Sequence, residues 1–235
     1  MESIAIKDLT ILVKRSVRRK TVELTVERDG KIFLHAPKSA ALSSLEALAR
    51  EKLLWIYQQL GRKGEELHQL PEKEFVSGEG FYYRGRKYRL KLLDGPMLAM
   101  NGRRLRFQNG HFLMPREFAP KGRVIFINWY TRRAEEWIPQ RVQLLQPRVG
   151  VELKSIEIRD LSFRWGSCTH KGKLFFHWRL ILLPPERIDY LILHELVHLH
   201  EHNHSPAFYE RLRRAVPEYE LHEEWLRRNG DQYAL

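Results

Sequence analysis

YLILHELVHLHEHNH, residues 190 to 204, decides how the rest of the chain is read. His194 and His198 stand four residues apart, with Glu195 directly after the first. Positions i and i+4 of an α-helix lie one turn apart on the same face, so both imidazoles can point at one metal ion. Glu195 sits one step round the helix, where it can reach a water on that ion without displacing it. This is the HExxH arrangement of zinc hydrolases. Five of the chain's eleven histidines fall between His194 and His204, directly after an apolar run.

A catalytic zinc takes three protein ligands and leaves its fourth position to water, so two histidines are one short. On a continued helix His202 would lie about 12 Å along the axis from His194, too far to share an ion. His200 projects from another face. His204 can return to the metal if the helix stops between His200 and Asn203, and asparagine is tolerated as the left-handed residue past a helix end. His204 is therefore the expected third ligand, and His200 and His202 are expected at the surface.

Composition sets the bounds. At 235 residues and 43% hydrophobic content the chain is long enough to bury a substantial core. No apolar stretch approaches the roughly 18 residues of a membrane span, and the start, MESIAIKDLT, lacks the layout of a secretory signal. A cytoplasmic location without membrane association is expected. Cys168 is the single cysteine, which excludes an internal disulfide; it reads as a structural thiol. The formal charge of +12 favours polyanions, including non-specific nucleic-acid binding through a basic surface.

Before the metal segment, residues 4–37 alternate like strands, with Asp29-Gly30 as a hairpin signal and a basic cluster at Lys14, Arg15, Arg18, Arg19 and Lys20. Ser43 and Glu46 form a capping box, and apolar residues at helical spacing predict about five turns up to Gly61, followed by a polar connection to Pro71. Residues 78–93 read as a strand pair. Two short strands follow around Asn109-Gly110, and then a helix over 124–145 that Pro139 should kink or divide. Residues 155–163 and 173–182 are expected as two strands joined by the turn at 169–172. Pro184-Pro185 opens the metal helix, and a further helix over 207–214 holds His204 at its entrance. No chemistry is expected of the tail from Val216.

Two readings of RWGSC, residues 164–168, stand side by side. Arg164, Trp165, Gly166 and Ser167 line a substrate cleft beside the metal helix, or Trp165 fills the core and Gly166 marks a bulge. Arg164, Arg179 and Tyr209 are the candidates for stabilising an oxyanion.

RWGSC, then Trp178-Arg179-Leu180, Asp189-Tyr190, HELVHL and NHSPAF (residues 203–208) together resemble the YgjP-like metallopeptidase family, a relative of the SprT-like zincins. The GEGFYYRGRKYRL stretch and the basic N-terminal strands extend the resemblance over most of the chain. His177 departs from it, standing where the family is expected to carry asparagine. The resemblance implies an α+β fold: a β-rich N-terminal lobe with one helix (1–117), and a zincin-like catalytic lobe (118–235) with an antiparallel-edged sheet and the HExxH helix. The two lobes together would form one module. It implies Zn²⁺, or another divalent ion, on His194, His198 and His204. Glu195 would be the catalytic acid–base group, acting on a peptide or protein. The resemblance also admits a nucleoside triphosphate pyrophosphatase releasing UMP and pyrophosphate from UTP. The remaining alternative is a DNA-associated protein with a structural or protease zinc site.

Overall fold

The structure is a computed structural model that describes residues 2–6, 9–26, 31–53, 55–57, 59–60, 73–94, 102–161 and 164–235. These fall into two compact units, 1–71 and 72–235, so the boundary expected at 117/118 lies inside the second.

In the first unit the alternating N-terminal residues form β1 (Glu2–Ile6), β2 (Leu9–Ser16), β3 (Glu23–Val26) and β4 (Ile32–Pro37) in the order β1-β2-β4-β3. β2 and β4 are parallel, and the other pairs antiparallel. Val26 pairs with Ile32 across the expected Asp29-Gly30 turn, which itself lies outside the described residues, as does the connection to Pro71. Ile11, Leu34 and Ala36 are buried in one cluster with Leu45, Ala49 and Ile56 of the following helical segment. Its regular part is α1 (Leu42–Glu51), and residues 53, 55–57 and 59–60 are also helical. The capping box does not form. α1 starts one residue before Ser43, from Ala41, with no side-chain cap.

The second unit carries the site. β5 (Gly80–Tyr83), β6 (Arg86–Leu93), β7 (Arg106–Gln108) and β8 (His111–Pro115) make a mixed sheet in the order β5-β6-β8-β7. Its two hairpin turns use left-handed backbone at Arg84-Gly85 and Asn109-Gly110, the geometry that matches strand twist. α2 (Gly122–Leu145) packs along this unit's core. Phe126 stacks on Phe81 at 4.2 Å, and Tyr130 donates to the Tyr82 carbonyl at 2.7 Å. Pro139 does not divide α2, which runs on through it. Tyr130, Ala134, Ile138 and Val142, all wholly buried, anchor it on both sides of the proline. That burial outweighs one lost backbone hydrogen bond.

β9 (Ser155–Arg159), β10 (Gly166–Cys168) and β11 (Lys173–His177) form the small sheet beside the metal segment, in the order β10-β11-β9. β10 is the antiparallel edge, as expected, while β9 and β11 are parallel. The 169–172 turn therefore joins β10 to β11. The strand expected over 173–182 ends at His177, and residues 178–182 wind into a 3-10 turn. His177 causes the change: buried, it accepts the Arg179 backbone N–H on Nδ1 at 3.0 Å. This is the task of an N-cap acceptor, here performed by an imidazole.

α3 (Pro185–Val197), α4 (Pro206–Ala215) and α5 (Tyr219–Asn229) complete the fold. The start of α3 is fixed by two sets of contacts. Arg141 of α2 grips Asp189 with two bonds of 2.6 and 2.5 Å. The β5–β6 turn donates from Arg84 and Gly85 to the carbonyls of Ile181 and Leu182, each at 2.9 Å. A Cβ at Gly85 would meet the Pro184 backbone at 2.8 Å, so only glycine lets the turn close on the start of α3. A β-rich N-terminal part and a helix-rich C-terminal part are thus observed, as expected.

Candidate metal centre

α3 ends at Val197, with His198 as its C-cap, three residues before the stop window expected from the sequence. Asn203 is not left-handed. The chain instead tightens, with Leu199 and His200 donating back three residues to Leu196 and Val197, both at 3.0 Å. Ser205 then caps α4, its Oγ accepting from Phe208 N–H at 3.3 Å, and Pro206 takes the first turn. The chain between these two points brings His204 back to the end of α3.

His194, His198 and His204 thereby converge, each offering a ring nitrogen within 4.8 Å of the others. Nε2 of His194 and of His204 stand 3.1 Å apart. Two imidazole nitrogens at about 2.1 Å from one tetrahedral cation would be roughly 3.4 Å apart, so the residues fit a metal. Phe208, wholly buried, packs against all three rings at 4.5–5.0 Å between centroids. His198 Nδ1 bonds the Glu201 carbonyl at 2.9 Å, which turns Nε2 toward the cluster. Burial pushes His194 down to about 3, helped by His198 and His204, and burial also lowers His198. Both are neutral at physiological pH, the state a metal ligand requires.

Glu195 is only 7% exposed. Burial pushes its carboxyl up to about 8, against the opposing charge of Arg164. Gly166 of β10 covers it closely: a Cβ there would stand 2.6 Å from Glu195 Cγ and 2.7 Å from Oε1. Gly166 is thus a close-approach glycine against the carboxylate. Ser167 follows on the same edge strand, paired with Phe175.

Trp165 and Arg179 lie together, the guanidinium 5.0 Å from the indole centroid, and Arg179 Nε donates to the Tyr233 carbonyl at 3.0 Å. That contact ties the chain's last residues to this wall. Tyr209 of α4 is half-buried, its ring 6.1 Å from that of His204. His200 and His202 stay outside the triplet, His200 against the Val149 carbonyl and His202 against the His170 ring. Burial, then the Glu195 charge, push the Cys168 thiol up to about 11 in the metal-free protein, and among the described residues the ligand group is His194, His198 and His204, without it. Two contributors escaped the sequence reading, Phe208 as the floor beneath the imidazoles and Glu223 of α5, which reaches Tyr190. Phe208 lay within a quoted motif; Glu223 lay in none.

The sequence matches the model of the YgjP-like metallopeptidase domain over residues 20–229. No functionally curated protein matches it significantly. Among solved structures, the metallopeptidase zymogen of Pyrococcus abyssi abylysin is similar at 20% identity, over 38% of this chain and 90% of that one. Its TM-score of 0.36 is too low to bear on fold or chemistry.

The buried carboxyl contributes its own part to the pH response of the metal-free protein. Its folded pKa of about 8 lies above the ordinary carboxylate value, so the folded chain holds the proton more tightly, and stability is lost as pH rises through that range. In chelator-treated protein, Glu195→Gln should raise the urea midpoint relative to wild type, by an amount that grows from about pH 5 to about pH 8 and then levels. A difference independent of pH would mean that the carboxyl is solvated.

Proposed function

Because the chain belongs to the YgjP-like metallopeptidase family, we propose that it is a zinc-dependent metallopeptidase of the HExxH type, with His194, His198 and His204 as ligands. The observation that carries this reading is the convergence of three imidazoles beside a buried carboxylate. Zinc, when bound, supplies a Lewis acid for the scissile carbonyl and lowers the pKa of water toward about 7.

The chain's own residues supply the rest. Glu195, the residue after the first ligand, accepts a proton from the attacking water on a carboxylate oxygen and returns it to the leaving amine. A dication beside it would favour the ionised form that the base role needs. Gly166 holds the carboxylate in place by leaving no room behind it. β10, at the sheet edge, offers main-chain groups on which an extended peptide can add as a strand. Arg164, whose charge already reaches Glu195, and Tyr209, beside His204, are the groups proposed to meet the developing oxyanion.

The triphosphate and DNA readings draw less support. Arg179 is directed at Tyr233 and Trp165. In the N-terminal cluster Arg15 pairs with Glu2 at 2.6 Å and Arg19 with Glu23 at 2.8 Å, and Lys14 lies 3.6 Å over the Phe33 ring. A structural zinc would be closed by a fourth protein ligand, and among the described residues the group contains three histidines.

The test is turnover of a peptide library and of UTP at equal zinc content. Wild type should release new amino termini, and Glu195→Gln should lose that activity by at least about 100-fold. Release of UMP and pyrophosphate, abolished by the same substitution, would replace the peptidase reading with the triphosphate one. Gly166→Ala, which must displace the carboxylate, should keep zinc but lower kcat on the order of 100-fold; unchanged kcat would free Gly166 from this role.

A further inference from the structure

The tail helix α5 reaches the metal centre through one side chain. Tyr190 stands one helical turn before His194 on α3, and its hydroxyl lies 3.5 Å from His194 Nδ1 and 3.0 Å from Glu223 Oε1. Since Nε2 of His194 faces Nε2 of His204, Nδ1 is the nitrogen turned away from the cluster. A phenol has one proton, and an ionised carboxylate only accepts. The proton therefore belongs to the bond with Glu223, and the phenol oxygen presents a lone pair to the imidazole.

The phenol is held from its other side as well. Its ring stacks on His222 of α5 at 5.2 Å and 5°, and Nδ1 of His222 accepts from Arg187 of α3 at 2.6 Å. Burial, then the Glu223 charge, push the Tyr190 phenol far up from its ordinary value, so it remains a donor. The two histidines of the motif are thus treated alike. His198 has its Nδ1 on a backbone carbonyl one turn away, while His194 has a phenol backed by a carboxylate from another helix.

We propose that Tyr190 and Glu223 are positioning residues for the metal, fixing His194 as the Nδ1–H tautomer with Nε2 free to ligate. The proposal rests on the zinc reading above. Groups that orient a ligating histidine in this way are typically worth 10–100-fold in metal affinity.

The experiment is zinc affinity by chelator competition, alongside the melting temperature of each metal-free protein. Tyr190→Phe keeps the ring and its stack on His222 but removes both hydrogen bonds. It should weaken zinc by about 10–100-fold with little change in metal-free melting. Glu223→Ala should weaken zinc similarly, Glu223→Gln, which still accepts from the phenol, should recover most of the loss, and the double variant should be no worse than Tyr190→Phe alone. A purely structural bond would move melting and leave zinc affinity alone, and Tyr190→Phe with wild-type zinc affinity overturns the proposal. Should a variant fail to fold, nitrogen-15 NMR of the zinc-loaded wild type decides: a protonated Nδ1 on His194 supports it, and zinc on Nδ1 overturns it. A wild type that takes up no zinc removes the metal reading itself, an outcome distinct from a tight-binding Tyr190→Phe.

Discussion

The end of α3 is the constraint on which the site depends. Two imidazoles a turn apart are easily placed, but the third stands ten residues after the first, and a straight helix would carry it about 15 Å away. The helix must therefore stop between the second histidine and the third, and the chain must turn back; here it stops within a residue of His198. Three-residue hydrogen bonds at Leu199 and His200 end it, Ser205 and Pro206 start the next helix, and Phe208 closes the space beneath the rings. Each of these features is local and cheap. Together they convert a helical motif into a three-sided cage.

Burial then sets the chemistry. The same packing that keeps His194 and His198 neutral holds the Glu195 carboxyl in a poorly solvated site. Alone, that carboxylate is a cost to the fold, offset in part by Arg164; beside a dication its charge would be welcome. The metal, when present, therefore matters to stability as well as to reactivity. Gly166 and Tyr190 lie against the two halves of this arrangement, one beside the carboxylate and the other behind the first imidazole.

Much of this was legible in the chain, for reasons that are local. The i, i+4 spacing of His194 and His198, the Asn109-Gly110 turn and Pro185 at the first turn of α3 are near-neighbour rules, and the structure follows them. Where local rules failed, tertiary contacts won. Pro139 stays inside a helix because buried residues flank it, and the strand expected to reach Leu182 ends at His177 because a buried ring caps the next turn. Asn203 was credited with a left-handed stop that the tightened turn made unnecessary. Residues 72–117 joined the C-terminal unit because Phe81 and Phe112 pack on Phe126, a pairing that no window of sequence reveals. Glu223 and its bond to Tyr190, 33 residues apart, were invisible for the same reason.

The central claim is that three imidazoles hold one zinc and leave a position open to solvent. X-ray absorption at the zinc edge of the loaded protein tests it most directly. The account predicts one zinc per chain with three imidazole nitrogens and one further light atom at about 2.0–2.1 Å. A fourth imidazole or a sulfur in that shell, or only two imidazoles, would contradict it.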